Sequence, residues 1–163
     1  RWKAVIERMR KHYNLKDDAA ILDIGCGKGF MLHDFSEMMP NCAVAGVDVS
    51  EYAIEKSMSS VKPFLKVGRA EKLDFPDNSF DLVISINSIH NLPFEKCKMS
   101  LMEIERVSRG HSYITVDAWR NEEEHENLLK WVLTAETYMH VDDWKKLFPE
   151  IGYTGDYWWF IAD

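Results

Sequence analysis

The sequence has little cysteine, glycine and proline, and it has no long apolar run. Of its 163 residues, 3 are Cys, 8 are Gly and 5 are Pro. This composition excludes collagen-like and low-complexity proteins, and a hydrophobic content of 46% excludes a disordered chain. Every apolar run is shorter than the roughly 18 residues that a membrane-spanning helix needs. We therefore expect an ordinary globular domain with no membrane partner.

Net positive charge and paired cysteines are also lacking. The chain carries 27 acidic and 20 basic side chains, a formal charge of −7, which argues against nucleic acid and favours a small-molecule partner. Cys26, Cys42 and Cys97 are odd in number, and no two of them form a Cys-x-x-Cys unit. Together with the absence of a signal-peptide pattern, these cysteines predict a cytoplasmic location with reduced thiols.

The pattern that is present is an alternation of short apolar runs with segments of helical spacing. Apolar runs at 19–24, 43–47, 64–67, 80–86, 111–118 and 157–161 predict strands, and segments at 30–39, 50–58, 95–108, 122–133 and 142–147 predict helices. Such alternation is typical of βαβ units, which form a doubly wound, mostly parallel α/β sheet. No linker or repeat divides the chain, so we expect a single domain over 1–163. Because the first residue is Arg1 rather than Met, its amino-terminal part could be missing.

A glycine-rich loop follows the first predicted strand and reads Asp23-Ile24-Gly25-Cys26-Gly27-Lys28-Gly29. Alternate glycines let the backbone approach a ligand closely, although a tight turn without a ligand would also explain them. Asp48 ends the second predicted strand, where a carboxylate can accept both hydroxyl protons of an adenosine ribose. The spacing differs from the Gly-x-Gly-x-x-Gly of dinucleotide sites, which argues against a nicotinamide-dependent oxidoreductase. An acidic Asp23 before the loop favours a cationic ligand.

Several segments resemble one family in the same order along the chain. ILDIGCGKGF resembles motif I of the class I S-adenosylmethionine-dependent methyltransferases (methyltransferase type 11-like), and VAGVDVSEYAIEKS is similar to their second-strand motif. GRAEKLDFPDNSFDLVISINSIHNL and LMEIERVSRGHSYI resemble the later segments of that family. The resemblance covers residues 21–114. It implies a Rossmann-like methyltransferase fold, with S-adenosylmethionine as cofactor and S-adenosylhomocysteine as product.

The resemblance also implies roles for the residues of the glycine loop and the second strand. Gly25, Gly27 and the backbone around Cys26 would line the methionine part of the cofactor. Asp23 would reach the amino group of that methionine, directly or through water. Asp48 would hold the ribose.

For the adenine ring, the resemblance implies contacts from two later loops. Val49 would pack on the ring face, and the backbone amide of Ala70, in the Ala70–Glu71 pair, would meet the ring edge. Arg69 departs from the family, which often has an aspartate there, and an arginine cannot accept a hydrogen bond. Either Arg69 stacks on the adenine, or it points to solvent while the neighbouring backbone recognises the ring. Asn87 would offer its backbone carbonyl to the amino group of the cofactor.

His90 is the candidate catalytic residue, because the resemblance places it after the fourth strand and its pKa class suits proton transfer near neutrality. The alternative is a loop histidine that packs near the cofactor. Trp119, Tyr138 and His140 are further candidates for the acceptor pocket. We predict no metal site. The predicted function is methyl transfer to a small molecule, and the alternative is a cofactor-binding but catalytically idle domain or regulatory subunit.

Overall fold

The computed structural model describes residues 1–162, which alternate strands and helices along the chain. Asp163, the last residue of the predicted domain, lies outside the described residues. The strands are β1 Ala20–Ile24, β2 Ala43–Asp48, β3 Leu65–Val67, β4 Leu82–Ile86, β5 Ser112–Trp119, β6 Met139–His140 and β7 Asp156–Phe160. The helices are α1 Lys3–His12, α2 Phe30–Met38, α3 Glu51–Glu55, α4 Phe94–Val107, α5 Glu122–Trp131 and α6 Val141–Glu150.

The described strands form one sheet of seven, in the order β3-β2-β1-β4-β5-β6, with β7 also paired to β5. Their pairings are parallel. The central strands β1 and β4 are almost continuously apolar and buried, as strands covered on both faces should be. The predicted doubly wound, Rossmann-like α/β fold is confirmed.

Helices cover both faces of the sheet. Side chains of α1 and α2 form one apolar cluster with the sheet, and side chains of α4 and α6 form the other. Trp144 of α6 is fully buried, and its indole N–H donates to the backbone carbonyl of Asp117 at 3.1 Å. Sequence analysis predicts no element before β1, so it misses α1, whose buried Ile6 and Met9 were the available helical signal.

The carboxyl-terminal elements differ in detail from the prediction. Helix α6 begins one residue earlier and ends three residues later than expected, and Pro149 lies inside it rather than beyond its end. Pro149 has no backbone N–H, so the bond to the carbonyl of Lys145 is missing, and the helix ends one residue after the proline. β6 was not predicted, since two residues carry no readable periodicity. No helix in the described part of the chain is both long and apolar enough to cross a membrane.

The topology fixes where a ligand can bind. From β1 the chain steps to β2 and β3 on one side, and it returns through β4 on the other side of β1. In open α/β sheets the ligand crevice lies outside the carboxyl ends of the strands at this reversal. The loops after β1, β2 and β4 therefore meet at one place.

Candidate active site

The glycine loop after β1 requires glycine for conformation and for space. Gly25, Gly27 and Gly29 have φ of 78°, 53° and 76°, in the left-handed region that glycine adopts most readily. A Cβ on Gly25 would lie 1.9 Å from the Oγ of Ser88, which belongs to the loop after β4. The backbone of the glycine loop therefore packs against the Ser88 side chain of the loop after β4. The glycine loop leads directly into α2.

Asp48, at the end of β2, ties this loop to its neighbour. One carboxylate oxygen, Oδ2, accepts a hydrogen bond from the backbone N–H of Gly27 at 2.8 Å, and Oδ1 accepts from the backbone N–H of Ser50 at 2.8 Å. A carboxylate offers about four acceptor positions, so two remain for a ligand. The side chain is thus held in place and still able to bind hydroxyl groups.

A cavity of about 360 Å³ lies between the loops that follow β1, β2, β3 and β4. It is lined by Ile24, Gly25, Val47, Asp48, Val49, Gly68, Ala70, Asn87, Ser88, Asn91 and Leu92. The structure therefore brings together five of the predicted cofactor residues, namely Gly25, Asp48, Val49, Ala70 and Asn87. We call this the cofactor cavity below.

Asp23, Cys26 and Gly27 lie beside the cofactor cavity but do not line it. The Asp23 side chain is 6% exposed, and burial together with the charge of Asp48 raises its pKa from 3.8 to about 7. Cys26 is also buried, and its Sγ lies 3.8 Å from the carbonyl oxygen of Gly27. Burial and the nearby Asp23 and Asp48 raise the pKa of the Cys26 thiol, so this cysteine stays protonated and is no nucleophile.

Arg69 and Glu71 do not line the cofactor cavity either. The Arg69 side chain is 70% exposed and lies 3.7 Å from the Glu71 carboxylate. That carboxylate is largely buried and lies 3.8 Å from the ammonium of Lys96. In this structure Arg69 takes the solvent-facing position of its two alternatives, while Glu71 faces two cations instead of the cavity.

Asn87 is held tightly where β4 ends. Its φ of 49° is a left-handed conformation that asparagine tolerates better than most residues. The backbone N–H donates to Thr115 Oγ1 at 2.8 Å, and Thr115 Oγ1 donates to Asn87 Oδ1 at 2.7 Å. Within the described part of the chain, the backbone carbonyl of Asn87 accepts one long hydrogen bond, 3.4 Å, from the Asn91 side chain, so it can accept another donor.

His90 lies one short turn further on and is 5% exposed. Its Nε2 is 3.7 Å from Oδ1 of the buried Asp117, and its buried Nδ1 has no hydrogen-bond partner among residues 1–162. Burial lowers the pKa of His90 and outweighs the opposing charge of Asp117 and the backbone carbonyl of Thr115. Burial in turn raises the pKa of Asp117, against the effect of His90. The imidazole is therefore neutral near pH 7.

A second cavity of about 310 Å³ adjoins His90, and we call it the His90 cavity. It is lined by Asn87, His90, Asn91, Asp117, Trp131, Val132, Leu133, Thr134, Ala135 and Phe160. Asn87 and Asn91 line both this cavity and the cofactor cavity, so the two adjoin. Sequence analysis misses Asp117 and the segment 131–135, and the one available signal was a carboxylate inside the apolar run of β5.

The other acceptor candidates lie together but outside the His90 cavity. The ring of Trp119 stacks on His125 at 4.2 Å between centroids, and it lies within 6.3 Å of Tyr138 and 6.2 Å of His140. A larger groove of about 650 Å³ runs along α1 and β7, and it contains none of the predicted site residues. Size alone therefore does not identify the active site.

The parallel sheet, its strand order and the glycine loop after β1 define a Rossmann-like α/β domain of the methyltransferase type. Comparison with known proteins agrees. A family model described as a methyltransferase domain matches residues 15–156. The chain belongs to the class I S-adenosylmethionine-dependent methyltransferase family, as the sequence motifs predicted.

Individual relatives support the same fold. The chain is 30% identical to the uncharacterised methyltransferase YcgJ of Bacillus subtilis, over 71% of this chain and 47% of that protein. It is 28% identical to an uncharacterised protein of Haemophilus influenzae, over 83% of this chain and 59% of that one. A crystal structure of a putative methyltransferase from Bacillus halodurans has a TM-score of 0.71 at 19% identity, over 91% of this chain and 68% of that chain. The chain thus spans about half the length of these curated relatives.

Proposed function

We propose that this chain transfers a methyl group from S-adenosylmethionine to a small-molecule acceptor and releases S-adenosylhomocysteine. The observation that carries the proposal is the meeting of Gly25, Asp48 and Asn87 around one cavity at the strand-order reversal. Family membership supports it. S-adenosylmethionine supplies a methyl group made electrophilic by its sulfonium, so the protein must mainly bind and orient the two reactants.

The residues around the cofactor cavity fit this cofactor. Asp48 keeps two acceptor positions for ribose hydroxyls, and the carbonyl of Asn87 can accept from an ammonium group. Val49 is exposed at the cavity and Ala70 borders it, so both are available to an adenine face. Gly25 lines the cavity, and its missing Cβ lets the Ser88 side chain pack against the loop, so the loop is held where the methionine part of the ligand would lie.

The electrostatics favour a cation at this site. Asp23 and Asp48 are close enough for the charge of Asp48 to raise the pKa of Asp23. A ligand with an ammonium and a sulfonium would relieve that repulsion, whereas the pyrophosphate of a dinucleotide would add to it. The oxidoreductase alternative is therefore disfavoured, and no observation in the structure favours the catalytically idle alternative.

The proposal includes a small-molecule acceptor and a cytoplasmic location. The net charge of −7 and a second cavity of about 310 Å³ fit a small molecule better than a nucleic acid. All three cysteines are free, which agrees with the predicted cytoplasmic location.

Isothermal titration calorimetry tests the proposal. We expect S-adenosylmethionine and S-adenosylhomocysteine to bind one per chain, and NADH to give no heat. Asp48→Ala should weaken binding by about tenfold or more, because two charge-assisted hydrogen bonds are lost. Asp74→Ala, which removes an exposed carboxylate that does not line the cavity, is the matched control and should bind normally. Binding of NADH without S-adenosylhomocysteine, or no heat from either adenosyl ligand, would overturn the proposal.

A further inference from the structure

We propose that the groove along α1 and β7 binds an amphipathic carboxylate, which is a small molecule with one carboxylate on an apolar body. The Arg8 guanidinium and the Tyr113 hydroxyl hold the carboxylate, and the aromatic and aliphatic walls hold the body. The inference goes beyond the proposed function, because this groove is a different cavity and its ligand needs no methyl donor. Three features carry it: a partly uncovered face of the sheet, apolar walls and an unpaired cation.

The floor of the groove is a face of β5 and β7 that α1 covers only in part. Tyr113 and Thr115 of β5 line the groove, and so do their partners in register on β7, which are Asp156 and Trp158. The Trp158 side chain is 67% exposed although it belongs to a parallel sheet. Parallel sheets are normally covered on both faces, and exposed apolar patches mark binding sites. This face is therefore a place where a ligand can remove apolar surface from water.

The walls of the groove are largely apolar. Trp2, Val5 and Met9 come from the amino-terminal helix and its cap, Ile86 ends β4, and Trp158 faces them from β7. The volume of about 650 Å³ lies within the range of about 300–1,000 Å³ that small-molecule sites span. Walls of this kind bind an apolar body, and the charge of the ligand must be chosen by the few polar groups among them.

The carboxylate that lines the groove already has partners. Asp156 is the one acidic side chain among the described lining residues. Its Oδ2 accepts a hydrogen bond from the Tyr13 hydroxyl at 2.9 Å and lies 2.8 Å from Nε2 of His12. These contacts join α1 to the start of β7, and they leave Asp156 with less need of a cationic ligand.

Arg8 is the unmatched charge of the groove. Its guanidinium makes no hydrogen bond or ion pair within residues 1–162, whereas Lys11 on the same helix pairs with Glu7 at 3.3 Å. The Tyr113 hydroxyl on the floor also has no hydrogen-bond partner in that range. Burial raises the pKa of Tyr113 and the charge of Arg8 opposes that rise, so the two groups are close to each other. Both are donors, and one carboxylate can accept from both.

The length of the helix sets the size of the ligand. Trp2 and Arg8 line the same groove, and the chain rises by about 9 Å between them, which suits an apolar body of about eight carbons. With its carboxylate at Arg8, such a body would lie between Val5 and Trp158. A phosphate would bring a second negative charge close to Asp156, so a carboxylate is favoured over a phosphate.

Calorimetry of the full chain without S-adenosylmethionine tests the inference. We expect octanoate to bind one per chain, and octylamine, which has the same body and the opposite charge, to bind at least about tenfold more weakly. Arg8→Gln should weaken octanoate binding by about tenfold or more, because charge-assisted hydrogen bonds to the carboxylate are lost. Lys11→Gln removes the same charge from the same helix, outside the groove, and is the matched control that should bind octanoate normally.

NMR of the indole N–H groups locates the bound octanoate. Trp2 and Trp158 line the groove, Trp131 lines the His90 cavity, and Trp144 is fully buried under α6. Octanoate should shift the Trp2 and Trp158 signals, each identified by replacement with Phe, and leave the Trp131 and Trp144 signals in place. A shift of Trp131 alone would overturn the assignment to this groove.

Three results in calorimetry would also overturn the inference: no heat at millimolar octanoate, equal binding of octylamine, or unchanged affinity in Arg8→Gln. Sedimentation covers the remaining occupant. If the chain forms a dimer that Trp158→Ser dissociates, a second copy covers the groove, and the small-molecule assignment is wrong. Because S-adenosylhomocysteine binding is measured separately, failure of octanoate to bind leaves the proposed function standing.

Discussion

The buried carboxylate of Asp23 should cost the protein stability that substitution by asparagine restores. Its pKa rises from 3.8 in the unfolded chain to about 7 in the folded protein, because of burial and the charge of Asp48. A raised pKa means that the folded state holds a proton which the unfolded state has already lost. Between about pH 4 and 7 the free energy of unfolding therefore falls as the pH rises, and the full cost is present above pH 7.

The magnitude follows from the pKa difference. Since 7 − 3.8 is about 3 and each pH unit corresponds to about 1.4 kcal/mol, the cost at pH 8 is about 4 kcal/mol. At pH 5 about 1.6 kcal/mol of it is present, since only the interval from 3.8 to 5 contributes. The Asp23→Asn variant has no charge to bury. The free energy of unfolding of Asp23→Asn, measured relative to wild type, should therefore increase by about 3 kcal/mol from pH 5 to pH 8. This is about 1.4 kcal/mol for each pH unit between 5 and 7.

Urea unfolding of ligand-free protein at pH 5, 6, 7 and 8 measures this difference. Comparing each variant with wild type across pH cancels the constant effect of the amide group itself. Asp74→Asn, which removes an exposed carboxylate with the same charge change, is the control variant. If the difference between Asp23→Asn and wild type were independent of pH, Asp23 would already be ionised in the folded state. The repulsion between Asp23 and Asp48, from which we argue for a cationic ligand, would then be absent.

Two further predictions concern the loop and a polar network. Gly25→Ala should destabilise the protein more than Gly27→Ala. A Cβ at position 25 would lie 1.9 Å from Ser88 Oγ, whereas a Cβ at position 27 meets nothing within 4 Å. Thermal unfolding compares the two variants, and equal losses of stability would contradict this reasoning. Arg106→Ala should cost about 1–3 kcal/mol in urea unfolding, since its guanidinium bonds two carboxylates and two backbone carbonyls. The exposed Arg8→Ala should cost little, and a similar loss there would contradict the reasoning.

The sequence analysis was most successful where the strands are buried on both faces. Strands β1 and β4 are nearly continuous apolar runs, because parallel strands covered by helices need few polar side chains. β6 could not be predicted, since its two residues are a strand only through pairing with the end of β5. The parallel pairing of β7 with β5 is likewise decided by tertiary packing and not by its own sequence.

In the candidate site, too, local features could be predicted and features set by tertiary packing could not. The glycine loop and Asp48 could be placed because their backbone conformation and spacing are local properties. The partnership of His90 and Asp117 could not, because the residues lie on different elements and meet only through the pairing of β4 with β5. The direction of the Arg69 side chain could not be predicted either, since it depends on a tight turn in which Arg69 and Lys72 form an antiparallel β-bridge.

A crystal structure of the protein with S-adenosylhomocysteine tests the central claim most directly. The account predicts the ribose hydroxyls within hydrogen-bonding distance of the Asp48 carboxylate, the adenine beside Val49 and Ala70, and the amino group near the carbonyl of Asn87. A ligand bound instead in the larger groove along α1 and β7, with the cofactor cavity empty, would contradict it.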